Sequence, residues 1–353
     1  MRRAKISGLC VLARSQTIRL PSGDTVQTPL LIPSVSSKGF DIVERQGRPV
    51  SAVSEYLDVV ANDLNESLLI SAYDIRHRHL RESDAFFGAF DDSLFAYPKV
   101  LFIDSGGYEV NTYAFDTSQT YHFAYQPKGW DKAQLLEMVD SFSPRVSGVL
   151  VNWDHFGPVE EQAELARRYF AGRQRFIGDF LIKPEEEGGY LNWRRIDQAI
   201  EELRDFVIVG VTEKELGESI EDRVMTLAHL RRALDERGLN QPIHVFGSLD
   251  SLYTPLYFLA GAEIFDGLTW LRYAYHAGLT LYSEMLAIIE RRLTMRNKQR
   301  GARVHVSNLA YLRELQQDMR RFVDSKELGL FGAAAPLIEG VIHNLSSDTR
   351  GLL

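Results

Sequence analysis

From Pro29 onward the chain alternates short apolar, β-branched runs with longer amphipathic or polar stretches. The runs are PLLIPS (29–34), SLLISA (67–72), VLFIDSG (100–106), GVLVNWD (148–154), FIGDFLIK (176–183), FVIVGVT (206–212), IHVFGS (243–248) and EIFDG (263–267). Near-continuous apolarity of this kind predicts parallel strands covered on their outer face by helices. Helix-like stretches separate the later runs: DKAQLLEMVDSF, VEEQAELARRYFAGR, WRRIDQAIEELRD, SIEDRVMTLAHLRRALDERG with Gly238 as C-cap, and SLYTPLYFLAGA. Eight strands alternating with helices predict an α/β fold, a (β/α)8 TIM-like barrel. A doubly wound open sheet is the rival, but it usually has fewer strands.

Three regions depart from the alternation. TIRL and TVQTPLLI around PSGD read as an N-terminal hairpin. Residues 74–97, with clustered charge and aromatics, read as an insertion. Residues 281–353 are helix-rich and basic, so the chain divides into a barrel over 1–280 and a helical segment over 281–353 packed on it.

Composition narrows the function. A net charge of -8 excludes coating of nucleic acid by bulk charge, though a local basic face can still bind it. The single cysteine, Cys10, can build neither a disulfide framework nor a cysteine zinc site, and points to a reducing cytoplasm. The apolar run near the start, GLCVLA, is too short for a signal peptide, and no stretch approaches a membrane span.

Active sites of such barrels are built at the C-terminal ends of the strands. The third run ends in Asp104-Ser105-Gly106-Gly107, the fourth in Asn152-Trp153-Asp154-His155 and the fifth in Lys183. The sixth ends in Gly210-Val211-Thr212-Glu213, the seventh in Gly247-Ser248 and the eighth in Asp266-Gly267. Asp104, Asp154 and Asp266 thus converge on one mouth. Each alone could cap a following helix; three on one face, beside glycines that open space, point to chemistry. Paired carboxylates suit displacement at an acetal-like carbon, one attacking a sugar C1′ and another moving the proton of the leaving group. Of the histidines only His155, beside Asp154, is placed near this mouth.

At these residues the sequence resembles the tRNA-guanine transglycosylase family, whose members exchange guanine in a polynucleotide for a 7-deazaguanine. The segments that carry the resemblance run in order from Thr28 to Phe322: TPLLIPSVSSKG, FIDSGGYEV, VNWDHFGP, FVIVGVTEKELGE, HVFGSLDSLYTPLYFLAGAEIFDGLTWLR and VSNLAYLRELQQDMRRF. The most specific is FIDSGGYEV, similar to the family's DSGG(F/Y)Q motif. The resemblance implies Asp266 as the nucleophile, Asp104 as the general acid/base and Asp154 as the reader of the guanine edge. It implies Tyr108 as the aromatic that stacks on the base and Ser105 as a substrate contact. Gly210 and Gly247 stand where the family lets backbone approach the ligand. No cofactor is implied.

The departures are specific. The family's zinc site of three cysteines and a histidine has no counterpart, and Ser307 stands where its histidine is expected, so no metal is expected. Glu109 replaces the Gln after DSGGY, and Lys183-Pro184-Glu185 replaces the glutamine-glycine pair of strand five. Glu109 is placed either to pair with Lys183 or to recognise a different base substituent. Without zinc, DNA is the preferred polymer, and its target base has to be extruded to be reached. The alternatives are a tRNA enzyme, a non-catalytic partner subunit of such an enzyme, and an enzyme of small nucleosides. Partners are then nucleic acid, a free 7-deazaguanine base, and a partner protein or second copy. The basic stretch with Arg296, Lys298, Arg300 and Arg303, followed by Arg313, Arg320 and Arg321, is the candidate phosphate contact, its bland rival being a solvated helix face.

Overall fold

The computed structural model describes residues 12–45, 47–110 and 128–348; Cys10 and most of the N-terminal apolar run lie outside them. Eight parallel strands close into a barrel in chain order: β1 (Leu30–Val35), β2 (Ser67–Ser71), β3 (Val100–Asp104), β4 (Gly148–Val151), β5 (Phe176–Ile182), β6 (Ile208–Thr212), β7 (Ile243–Phe246) and β8 (Ile264–Gly267). The closing pair is β8 with β1, where Asp266 lies opposite Ile32. The barrel, not the open sheet, is the architecture.

Although the strands read as continuous apolar runs, their side chains still alternate across the wall. Leu30, Ile32, Val100, Phe102, Val149, Val151, Leu181, Ile208 and Ile264 fill the interior. Leu31, Leu101, Ile103, Leu150, Phe180, Val209, Val245 and Phe265 pack outward against the helices. Each such buried aliphatic side chain is worth roughly 1.5–3 kcal/mol relative to exposure. The same alternation turns Asp104, Asp179, Gly210, His244 and Asp266 inward, one step from residues of the inner cluster.

The N-terminal hairpin pairs Thr17–Arg19 with Thr25–Gln27. Its Ile18, Leu20 and Val26 join the inner cluster, so it plugs the barrel at the end where β1 begins. Residues 74–97 form short helical turns whose Phe86, Phe90 and Phe95 pack together and onto Phe142. In the C-terminal segment, helix Asn297–Ser325 docks along the barrel. Its Asn308 accepts from the Tyr275 amide at 2.8 Å and donates to the Trp270 and Tyr273 carbonyls, both at 2.7 Å. Lower on the same helix Gln316 accepts from the Leu31 amide at 2.7 Å. Among the described residues no helix is long and apolar enough to cross a membrane.

Candidate active site

Asp104 closes β3 and accepts from the Gly106 amide at 3.1 Å. Burial, and next the nearby Asp154 carboxylate, push its carboxyl up to about 7 against the Gly106 and Ser105 backbone amides, with Asp266 adding to the rise. A carboxyl so placed exchanges a proton readily near neutral pH. The turn beyond it needs both glycines. Gly106 has φ +86°, and a Cβ there would meet Trp130 Nε1 at 2.6 Å; one on Gly107 would lie 3.0 Å from the Asp154 carboxyl carbon. Ser105 is buried within this turn. Its hydroxyl accepts from the Gly107 amide at 3.2 Å and its carbonyl from Trp130 Nε1 at 2.9 Å, so Ser105 shapes the loop rather than facing the mouth.

Asp266 is anchored differently. Its carboxylate accepts from the Ser34 hydroxyl at 2.6 Å and the Gly247 amide at 3.1 Å, and lies 3.4 Å from His244 Nε2. The Ser34 hydroxyl and the Gly247 amide hold the carboxylate in a fixed orientation. Gly247 has φ +81° and open space where a Cβ would stand. Gly210 serves another purpose than ligand approach: a Cβ there would sit 2.6 Å from the Phe246 ring and 2.8 Å from Asp179 Oδ1, so the interior itself requires the glycine.

Asp154 follows β4, and its neighbour is Lys183 at the end of β5, 3.3 Å away. Lys183 also pairs with Glu215, beyond β6, at 2.7 Å. The ammonium is 3% exposed and its two partners 12% and 11%, so this is a nearly dry array on one wall of the mouth. Glu109 therefore does not pair with Lys183. It points toward the β1–β2 side, where Ser36 and Ser71 donate to its two oxygens at 2.5 and 2.8 Å. Burial, then Asp74 and Asp104, push its carboxyl up to about 8, against the two hydroxyls. Burial thus favours the protonated form of Glu109. Tyr108 is 40% exposed at the rim. Lys38 lies over its ring at 4.3 Å and donates to its carbonyl at 2.8 Å.

The remaining sequence candidates scatter. His155 pairs with Glu161 at 3.2 Å on the surface. At the start of helix Asn297–Ser325, Lys298 pairs with Glu55 at 3.9 Å, Arg300 with Glu284 at 3.4 Å and Arg303 with Glu290 at 3.1 Å. Arg296 precedes that helix and its amide donates to Gln299 Oε1 at 3.3 Å. Arg313 and Arg320 are tied to Asp63 at 3.0 Å and Glu66 at 2.9 Å. Arg320 also donates to the Pro29 carbonyl at the plugged end, which separates it from the mouth. Glu215, Asp179, His244, Ser34 and Lys38 belong to the site or its support without having been singled out from the sequence. The signal for Asp179 and His244 was present: each breaks an apolar run at an inward-facing position.

Among the described residues no group of three or more His, Cys, Asp or Glu is arranged to hold a metal ion. No protein-family model matches this chain, and no curated protein matches it.

Proposed function

We propose that the chain is a transglycosylase that exchanges guanine for a 7-deazaguanine base in a polynucleotide, preferably DNA. The observation that carries this reading is the pair of inward carboxylates in unlike settings, Asp266 held by the Ser34 hydroxyl and the Gly247 amide with His244 beside it, and Asp104 raised to about 7 by burial. Unlike settings of this kind separate a nucleophile from an acid/base.

In the proposed reaction an Asp266 oxygen attacks C1′ as the C1′–guanine bond breaks. The bonding pair leaves with guanine, and Asp104 supplies the proton that neutralises it. Asp104, now ionised, takes a proton from the incoming base, whose nitrogen attacks C1′ and releases Asp266. The Asp154–Lys183–Glu215 array offers both an acceptor and donors to the hydrogen-bonding edge of a purine. Tyr108 at the rim offers a stacking face. Protonated Glu109 is the carboxylic counterpart of the Gln in the resembling motif, so burial offsets that substitution. DNA is preferred because the sequence lacks a cysteine set for the zinc element of the tRNA enzymes. The setting we propose is cytoplasmic, with free 7-deazaguanine as co-substrate.

Incubation with labelled guanine or 7-deazaguanine, DNA and tRNA side by side, tests this. Label entering DNA supports the full proposal. Label entering tRNA alone removes the DNA preference, and none in either polymer, with the protein folded, favours a non-catalytic partner subunit.

The basic start of helix Asn297–Ser325 is the proposed phosphate contact. Its ion pairs are exposed and worth only about 0–1 kcal/mol each, so phosphates can displace them. Reversing charge at Arg296, Lys298 and Arg300 is expected to weaken polynucleotide binding and flatten its dependence on salt. An unchanged salt slope in a filter-binding titration would remove these residues from the interface.

A further inference from the structure

The barrel interior holds a polar chain that the reaction above does not use. His244 on β7 donates through Nδ1 to Asp179 Oδ2 on β5 at 2.6 Å, and its Nε2 lies 3.4 Å from Asp266 Oδ1 on β8. The imidazole and the Asp179 side chain are wholly buried, and the Asp266 side chain is 8% exposed. The ring cannot turn away: Phe246 stacks on it at 3.8 Å between centroids and Phe102 of β3 meets it edge-on at 5.7 Å. Asp179 Oδ1 has no hydrogen-bond partner and fits only because residue 210 on β6 has no Cβ.

Such an arrangement is costly as mere packing. Buried charges lose hydration, and well-packed apolar residues of similar size stabilise an interior as well or better. The strands around it show that apolar filling was available, since the flanking interior positions are Leu181, Ile208 and Ile264. The chain instead ends on one oxygen of the carboxylate assigned to attack C1′.

We infer that His244, braced by Asp179, is a positioning residue that fixes the Asp266 carboxylate for attack. This rests on the transglycosylase reading. Asp179 holds the ring in the orientation that turns Nε2 toward Asp266, while Ser34 and Gly247 hold the carboxylate from other sides. Burial alone would lower the imidazole, but Asp179 and then Asp266 outweigh it and hold it up to about 9, so both ring nitrogens carry protons at neutral pH. The titratable groups that face it are Asp179 from β5 and Asp266 from β8; β3 contributes Phe102, and β6 contributes Gly210, which carries no charge.

The test measures single-turnover formation of the covalent adduct on a guanine-containing polynucleotide, together with KM for the free base. It compares the full-length wild type, His244→Asn, His244→Gln and Asp179→Asn, each checked for fold by circular dichroism. His244→Asn, which reaches only toward Asp179, is expected to slow adduct formation about 100-fold, the effect of a misplaced reacting group, with KM little changed. His244→Gln places an amide nitrogen near the Nε2 position and is expected to recover about tenfold of that loss. In Asp179→Asn the imidazolium loses its nearest anion, so the His244 imidazole titration, followed by NMR, should move down by about one unit or more. Equal losses in the Asn and Gln variants with an unmoved imidazole titration would leave only a structural role and overturn the inference. Wild-type rates in His244→Asn would overturn it alone, whereas a wild type that forms no adduct on any polynucleotide overturns the parent reading as well.

Discussion

Asp266→Asn is expected to lower base exchange by more than about 10⁴-fold, the scale of losing a catalytic nucleophile, and to leave no covalent adduct in a denaturing gel. The substitution preserves shape. Asn keeps one oxygen, which can still accept from the Gly247 amide, while the rotatable Ser34 hydroxyl can accept from the new amide nitrogen on the other side. It removes the charge that faces His244, so an imidazole held as a cation by two carboxylates is left with Asp179 alone. The fold should survive, because Asp179 remains to pair with His244, and thermal unfolding should stay cooperative. An adduct that persists in this variant would mean that another side chain attacks C1′.

Lys183→Met should damage both binding and stability. The lysine stands between two carboxylates, Asp154 at 3.3 Å and Glu215 at 2.7 Å, all three nearly excluded from solvent. Met fills a similar volume without charge, so two like charges are left close together in a poorly hydrated wall. Removing one partner of a buried ionic array typically costs about 3 kcal/mol or more. The expected result is a lower urea midpoint and a KM for the free base raised about tenfold or more, the scale of one lost charged hydrogen bond. Asp154→Asn in the same chain should restore part of the stability but not the affinity, because it removes the repulsion while also removing the acceptor. If the two substitutions destabilise additively, Lys183 and Asp154 are not coupled as their separation implies.

The barrel was legible because its signal is redundant. Each of the eight runs is apolar on both faces, and none depends on a single residue; Val100 to Ile103 and Val149 to Val151 are buried without exception. The three mouth carboxylates were legible for the opposite reason, as isolated charges at the ends of such runs. What escaped was pairing. Glu109 and Lys183 are both charged and both follow barrel strands, which makes them plausible partners on paper. In three dimensions Lys183 has Asp154 and Glu215 on the strands to either side, while Glu109 leans over β1 and β2 toward Ser36 and Ser71. Strand order around a closed wall decides which charges meet, and separation along the chain does not. Asp179 and His244 escaped because a continuous apolar run conceals which of its positions face inward. Once the alternation of Phe180 outward and Leu181 inward is known, Asp179 falls inside.

The hairpin that carries Ile18, Leu20 and Val26 into the lower end of the barrel fills that end with side chains. For the proposed exchange this dictates traffic. A base freed at the Asp104–Asp266 pair then leaves by the mouth, the end at which its replacement also enters. The two half-reactions are thereby queued, giving parallel double-reciprocal lines.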